Sequence, residues 1–440
     1  MRDSERKTAR AAKERIRYLA SKLADYGFTR PERKFVFQMV FGILKQQSVI
    51  LLQIARGLGE KAQLKKTVER LGKHLGRETL ADRLMTALPQ LARYKLRRCR
   101  YLVLDLSDVR KDYARKMEGL RPVYDGSKGE VAPGYWTVNV VGVGGEEYLG
   151  RELVPVYSEL YSTAEPGFVS ENAKVWKAIE TVTKGAGKGP VWVFDRGFDR
   201  REGLLKPLME EGYRFLIRQR GDRLVEYKGE LLPVREVGKR VPLRWTYVLE
   251  RRRGGRKRKV RFRVGATRVS VPGVGGELWL VVVAQRGEGR SWYLGRLEQL
   301  QKNGEWELLS AEEAARRGFE AYGSRWSVEE VFRHVKTDYS MEKMRVQSYT
   351  RLRSLNAVLW FAMYFLYVDA EGSRGRLLLD YADKITLGRH LKELRGFVYY
   401  KIGVVIAWLF SVLVCPLSGL AQKREVVFSL QLSLFPQPGL

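Results

Sequence analysis

Cysteine and histidine are scarce in this chain of 440 residues. Its two cysteines, Cys99 and Cys415, stand far apart. That argues against a disulfide framework or a cysteine-based zinc site and fits a reducing, cytoplasmic setting. The three histidines, His74, His334 and His390, share no ligand spacing. Acid–base work in any active site would therefore fall to other groups. Long apolar runs are missing as well. The one candidate, residues 402–417, is shorter than the roughly 20 residues needed to cross a bilayer and ends at Pro416. It is expected to be a buried helix, as is the run 355–368, and no membrane association is expected. The first twenty residues are charged and offer no apolar stretch for a signal peptide. No internal repeat is apparent.

What is abundant is positive charge. Lysine and arginine total 81 against 50 acidic residues, a formal net charge of +31, while hydrophobic residues make up 45%. Such a chain is apolar enough to fold, and its cations call for a polyanion: nucleic acid, or else an anionic membrane surface. Its length is a prior for about three domains.

The most informative segment is AYGSRWSVEEVFRHVK, residues 321–336. Tyr322, Arg325, Glu329 and Lys336 succeed one another at offsets of three, four and seven. At about 100° per residue they fall within a helical stripe roughly 60° wide. Val328, Val331, Phe332 and Val335 form the adjoining apolar face. A carboxylate is thus set beside a phenol and two cations on the rim of a packed helix, which suits a metal ion and phosphates. The alternative is a surface helix with ordinary i, i+4 ion pairs. Glu330 lies about 100° from Glu329 and off the stripe, and His334 falls on the far side, where a surface position is expected.

Upstream, YLVLD ends at Asp105 and VWVFD ends at Asp195. Both read as buried strands that stop at an acid. A carboxylate there is costly unless paired or bound to a cation. Taken singly, each acid suits a turn or a helix cap; with Glu329 they compose a hard-ion site of oxygen ligands. Asp199 is expected to cap the following helix with Glu202 at its third position, which leaves Asp195 as the ligand.

The Y-x2-R-x3-E-x6-K spacing resembles the YREK signature of the DDE transposases of bacterial insertion sequences, in particular the insertion sequence four family. YLVLDLSDVRKDYARKMEG and VWVFDRGFDRREG are similar to that family's first and second acidic motifs. The resemblance runs from about residue 100 to about residue 345. It implies that Asp105, Asp195 and Glu329 are the metal-binding catalytic triad and that Tyr322, Arg325 and Lys336 contact phosphates and DNA. It also implies a bacterial, nucleoid-associated protein. In that family a tryptophan on a late insertion strand stacks on a flipped base, and Trp292 occupies a similar place here. A strand tryptophan buried in the core is the alternative.

The expected organisation is α/β. Residues 1–92 form a basic, all-helical N-terminal domain, either a DNA-recognition module or an ordinary bundle. Residues 93–220 carry the first part of a core with the RNase H-like order, three strands, a helix, a strand, a helix and a fifth strand, in a mixed five-stranded sheet flanked by helices. Residues 221–305 form a β-rich insertion whose run RRRGGRKRK includes Arg256, Lys257, Arg258 and Lys259. That run is expected to be a hairpin with a cationic tip, either solvated or on a DNA backbone. Residues 306–370 return to the core with the Glu329 helix and the helix after it, and 371–440 are a C-terminal helical region. The glycine-rich stretches GVGGEEYLG and KGAGKGP lack the context of dinucleotide and phosphate loops and read as turns.

Phosphodiester cleavage by such a site needs two divalent ions, Mg²⁺ with Mn²⁺ able to substitute, that activate water and neutralise the leaving oxygen. The resemblance implies a cut-and-paste transposase acting on double-stranded DNA, cleaving transposon ends and joining them to target DNA, as a homodimer that holds two ends. The alternatives are a metal-dependent nuclease on the same core without strand transfer, and a domesticated DNA-binding protein without catalysis.

Overall fold

The computed structural model describes residues 3–126, 129–147, 150–199, 201–253, 256–299, 301, 303–369, 372–384 and 398–413. Helices come first: α1 (Asp3–Ser21), α2 (Arg30–Gln46), α3 (Leu51–Leu58), α4 (Leu64–Leu75), α5 (Leu80–Leu91) and the single turn α6 (Arg93–Leu96). Thr29 and Glu32 close a capping box at the start of α2, where Pro31 in the first turn costs no hydrogen bond. Past that cap, Val36, Met39, Val40, Ile43 and Leu44 are buried, the repeat expected of a core-facing helix.

The strands β1 (Tyr101–Arg110), β2 (Arg121–Asp125), β3 (Glu130–Glu147), β4 (Gly150–Tyr161), β5 (Val191–Phe194) and β6 (Phe215–Arg218) follow, with α7 (Glu171–Ala186) before β5 and α8 (Lys206–Glu210) before β6. The five strands expected from the sequence lie side by side as β4–β3–β1–β5–β6. The first two junctions are antiparallel and the last two parallel. β2, which the apolar pattern does not announce, pairs with β3.

The sheet does not stop at five strands. Beyond β6 come β7 (Leu224–Tyr227), β8 (Glu230–Pro233), helix α9 (Val234–Arg240), β9 (Trp245–Arg253), β10 (Arg256–Ser270), β11 (Glu277–Gln285) and β12 (Gly289–Arg296). β12 pairs antiparallel with β6 from Arg218↔Tyr293 to Phe215↔Arg296. This joins core and insertion into one sheet of twelve strands. The free edge of β6, which would expose a row of unpaired amides and carbonyls, is the reason the insertion docks there.

Two further expectations change. β1 runs on past Asp105 to Arg110, because the long β3 offers it a ladder as far as Arg110↔Gly134. Its parallel neighbour β5 pairs only with Tyr101–Val103. Asp105 therefore lies within a strand, just past the point where the β5 side ends. Of the glycines in GVGGEEYLG, Gly142, Gly144 and Gly145 lie inside β3 rather than in a turn, and Gly150 opens β4. A Cβ on Gly142 would fall 2.8 Å from Cys99 Sγ, so a bare backbone is what lets the strand pass Cys99. In KGAGKGP, Gly185 is helical and meets the Pro89 carbonyl of α5, where a Cβ would sit at 2.2 Å, while Gly187 leaves the helix at φ 72°.

After the insertion, α10 (Ala311–Thr337) spans 27 residues behind a Ser310–Glu313 capping box. It lies across β10 and β11 of the insertion as well as β1 and β5 of the core. Close approach is possible at Gly318, where a Cβ would be 2.8 Å from Val281, and Phe319 next to it stacks on Tyr247 and meets Phe262 at a tilt. Three helices complete the described chain: α11 (Tyr349–Asp369), α12 (Gly372–Lys384) and α13 (Val398–Val412). Both apolar runs expected to be buried helices are so where described, in α11 and α13. Among the described residues no single helix is long and apolar enough to cross a membrane. One contiguous apolar cluster reaches from Ala9 through the sheet to Phe410.

Candidate active site

Asp105, Asp195 and Glu329 come from three elements and meet at one cation. Asp195 follows the last residue of β5, and Asp105 lies on β1 beside it. Glu329 projects from α10 where that helix crosses β1 and β5. Arg325, one turn before Glu329, sits among them. Its Nη2 is 2.7 Å from Glu329 Oε1, and its Nη1 is 3.5 Å from Asp105 Oδ2 and 3.9 Å from Asp195 Oδ2.

The electrostatics follow from crowding three acids around a sheltered cation. Burial pushes the Asp105 carboxyl up to about 7, and Asp195 and Glu329 add to the rise. Arg325 and the Leu106 amide, which donates to Asp105 Oδ1 at 3.0 Å, oppose it. For Arg325, burial works against the charged form. The carboxylates of Asp195, Asp105 and Glu329, together with Tyr322, outweigh that and hold it above its ordinary range. Asp195 Oδ1 is buried and has no hydrogen-bond partner.

Tyr322 is nearly buried, with its ring 4.3 Å from that of Tyr293. Its hydroxyl accepts a hydrogen bond from Arg218 Nη1 at 3.1 Å. Arg218, which no sequence motif singles out, is also 3.9 Å from Asp195 Oδ1. Its signal is positional: β5 and β6 are parallel neighbours with Phe194 opposite Ile217, so the residue ending β6 sits beside the acid that follows β5. Arg218, Tyr322 and Arg325 line a cleft of about 210 Å³ together with Tyr293, Phe319 and Trp326. Trp326 is 38% exposed.

Lys336 does not join this cluster. Its Nζ lies 3.2 Å from Asp108 and 3.9 Å from Glu342. Asp108 lies within the segment YLVLDLSDVRKDYARKMEG, but nothing there singles it out, because the apolar run of β1 ends before it. Trp292 stands apart too. Its indole is partly buried and wedged between Gly221 and Gly238, where a Cβ would come within 2.7 and 2.3 Å of the ring. The cationic run forms the expected hairpin, with Arg256 paired to Arg253 and Lys259 to Glu250. Lys259 is exposed, whereas the side chains of Arg256, Lys257 and Arg258 lie outside the described residues.

Two neighbours of the site depart from expectation. The Asp199 carboxylate, expected to cap a helix, pairs instead with Arg223 and accepts from the Arg220 amide at 3.3 Å, both in the segment after β6. That leaves Asp195 as the acid facing the cluster. His334 is fully buried rather than on the surface, because Tyr339, Tyr367 and Tyr400 close over it. Burial pushes its imidazole down to about 3.

The donor set is that of a hard divalent ion: carboxylate oxygens from three elements, one of them buried without a hydrogen-bond partner. As the side chains stand, no group of three or more histidine, cysteine or acidic residues among the described residues is gathered tightly enough to hold a metal. The guanidinium of Arg325 keeps the three acids apart.

Residues 160–366 match the family model described as the transposase DDE domain. Among solved structures, the chain is similar to a piggyBac transposase synaptic complex with hairpin DNA, at 10% identity and a TM-score of 0.39, covering 92% of this chain and 79% of that one. A score that low carries no argument. No curated protein matches. The segment from the end of β4 through α11 thus matches a transposase DDE domain that includes Asp195 and Glu329, and the match supports a DDE transposase.

Proposed function

We propose that the protein is a DNA transposase of the insertion sequence four type, with an RNase H-like core and Asp105, Asp195 and Glu329 as its catalytic acids. The observation that carries this reading is the meeting of those three carboxylates on Arg325 beside the carboxyl end of β5, where its parallel pairing with β1 stops. Open α/β sheets place their chemistry at that edge. Asp105, Asp195 and Glu329 would hold two divalent ions, Mg²⁺ or Mn²⁺, which supply an activated water and neutralise the leaving oxygen. Arg325 and Arg218 would fork onto phosphate oxygens in the cleft, and Tyr322 would hold Arg218 in place. Lys336, farther along α10, would reach the strand being cut. Joining two ends to target DNA calls for a homodimer.

The test incubates the purified protein with labelled element-end duplex and Mg²⁺, with and without a target plasmid. Cleaved ends joined to plasmid are expected. Cleavage without joined product would instead identify a nuclease, and end binding without cleavage a non-catalytic DNA-binding protein. Asp105→Asn, Asp195→Asn and Glu329→Gln should each abolish cleavage and leave end binding largely intact. Wild-type rates in any one of them would remove that residue from the site.

A further inference from the structure

Arg325 stands where a cation bound by all three acids would stand. It brings one positive charge to three carboxylates, at 2.7, 3.5 and 3.9 Å, and its side chain is only 14% exposed. Mg²⁺ demands oxygens at about 2.0–2.1 Å in octahedral array. It cannot take the acids at that range while a guanidinium lies between them, both for want of room and by like-charge repulsion. The guanidinium also has somewhere else to go. Arg325 lines the cleft together with Arg218, and both lie over the Tyr322 ring, each 5.8 Å from its centre. Its Nε is buried without a hydrogen-bond partner, so the present arrangement leaves one of its donors unused. A phosphate in the cleft would meet two guanidinium groups.

We infer that Arg325 is the resident counter-ion of Asp105, Asp195 and Glu329, and that it couples metal loading to phosphate binding. A DNA phosphate in the cleft draws the guanidinium away, and only then are the three acids free for divalent ions. This rests on the reading of those acids as the metal site. The coupling is reciprocal: whatever factor DNA adds to metal affinity, metal adds to DNA affinity. A free protein of this design takes up metal poorly and is idle until an end is seated.

Mn²⁺ binding to the full-length, metal-free protein, followed by the electron paramagnetic resonance of free Mn²⁺, tests the coupling without any turnover. Arg325→Gln removes the charge and should tighten Mn²⁺ binding without DNA by about tenfold or more. Adding Glu329→Gln to that variant should abolish the gain. Wild-type protein saturated with a short duplex, corrected for Mn²⁺ held by the duplex alone, should bind Mn²⁺ about as tightly as DNA-free Arg325→Gln. This arm needs no variant to fold. Should Arg325→Gln be folded yet bind Mn²⁺ no better than wild type, or should the duplex leave wild-type affinity unchanged, the coupling is overturned. If Glu329→Gln still weakens Mn²⁺ binding, the metal site survives that result. No Mn²⁺ binding under any condition would overturn both.

Discussion

Lys336 and Asp108 show how a single side chain can be tested for two roles. Their ammonium and carboxylate are 3.2 Å apart and partly sheltered, and the segment beyond α10 is pinned by Lys111, whose buried Nζ donates to the Glu342 carbonyl at 2.6 Å and the Met344 carbonyl at 3.2 Å. If Lys336 serves only that pair, Lys336→Ala should cost about 0–1 kcal/mol of stability and leave the chemistry alone. We expect instead the same small stability cost together with a strong loss of end cleavage in single turnover, with metal binding retained. Lys336→Arg should recover only part, because a planar fork does not replace a compact ammonium. Urea unfolding run beside the cleavage assay separates the two, and full activity in the alanine variant would leave Lys336 a structural partner of Asp108. At this scale Glu329 and Arg325 are legible in the sequence because a helix fixes their offset. Arg218 and Asp108 are not, since each owes its position to a neighbour distant in sequence.

Among the elements, the β9–β10 hairpin states its polarity most clearly. Phe262 and Val264 are buried, Phe262 against Phe319 of α10, while Lys259, Arg261 and Arg263 alternate with them and are exposed. This two-residue alternation puts three cations on the face turned away from α10. Replacing Lys259, Arg261 and Arg263 with alanine should weaken DNA binding and flatten its dependence on salt, by about 0.9 in the log–log slope for each phosphate no longer neutralised. Extending the set to Arg256, Lys257 and Arg258 tests the whole run. Fluorescence anisotropy across a salt series reads the slope, and an unchanged slope would make the hairpin a solvated one. The alternation makes this element legible in sequence. The length of β1 is not, because the segment after Asp105 carries a mixed pattern and is extended only through its ladder with β3.

Across the whole molecule, the N-terminal helices share their core with the rest of the chain. α2 packs on α11 and α13, and α5 packs on α7, α11 and β4. Between these layers, Asp82 of α5 pairs with Lys177 of α7 at 2.8 Å and with Arg353 of α11 at 3.0 Å. Removing residues 1–92 would uncover apolar surface on α11 and β4 and leave Lys177 and Arg353 without Asp82. We expect the truncated protein to be insoluble or to bind a hydrophobic dye strongly. A soluble, cooperatively unfolding fragment 93–440 would show instead that the N-terminal helices are an independent domain.

What the sequence determined by itself was local and periodic: the stripe of Tyr322, Arg325, Glu329 and Lys336 on one helix, the five core strands with their two acids, and the alternating strands of the insertion. These are written in repeats of 3.6 and 2, which a short stretch of chain contains completely. Tertiary structure decided the rest. It decided that core and insertion form one sheet, because the free edge of β6 found β12. It decided that His334 is buried, because tyrosines from α11, α13 and the segment after α10 close over a helix face that is polar in sequence. Above all it decided that three acids from β1, β5 and α10 face a single guanidinium. Charge alone does not choose which of 81 cations that will be; the crossing of α10 over β1 and β5 does.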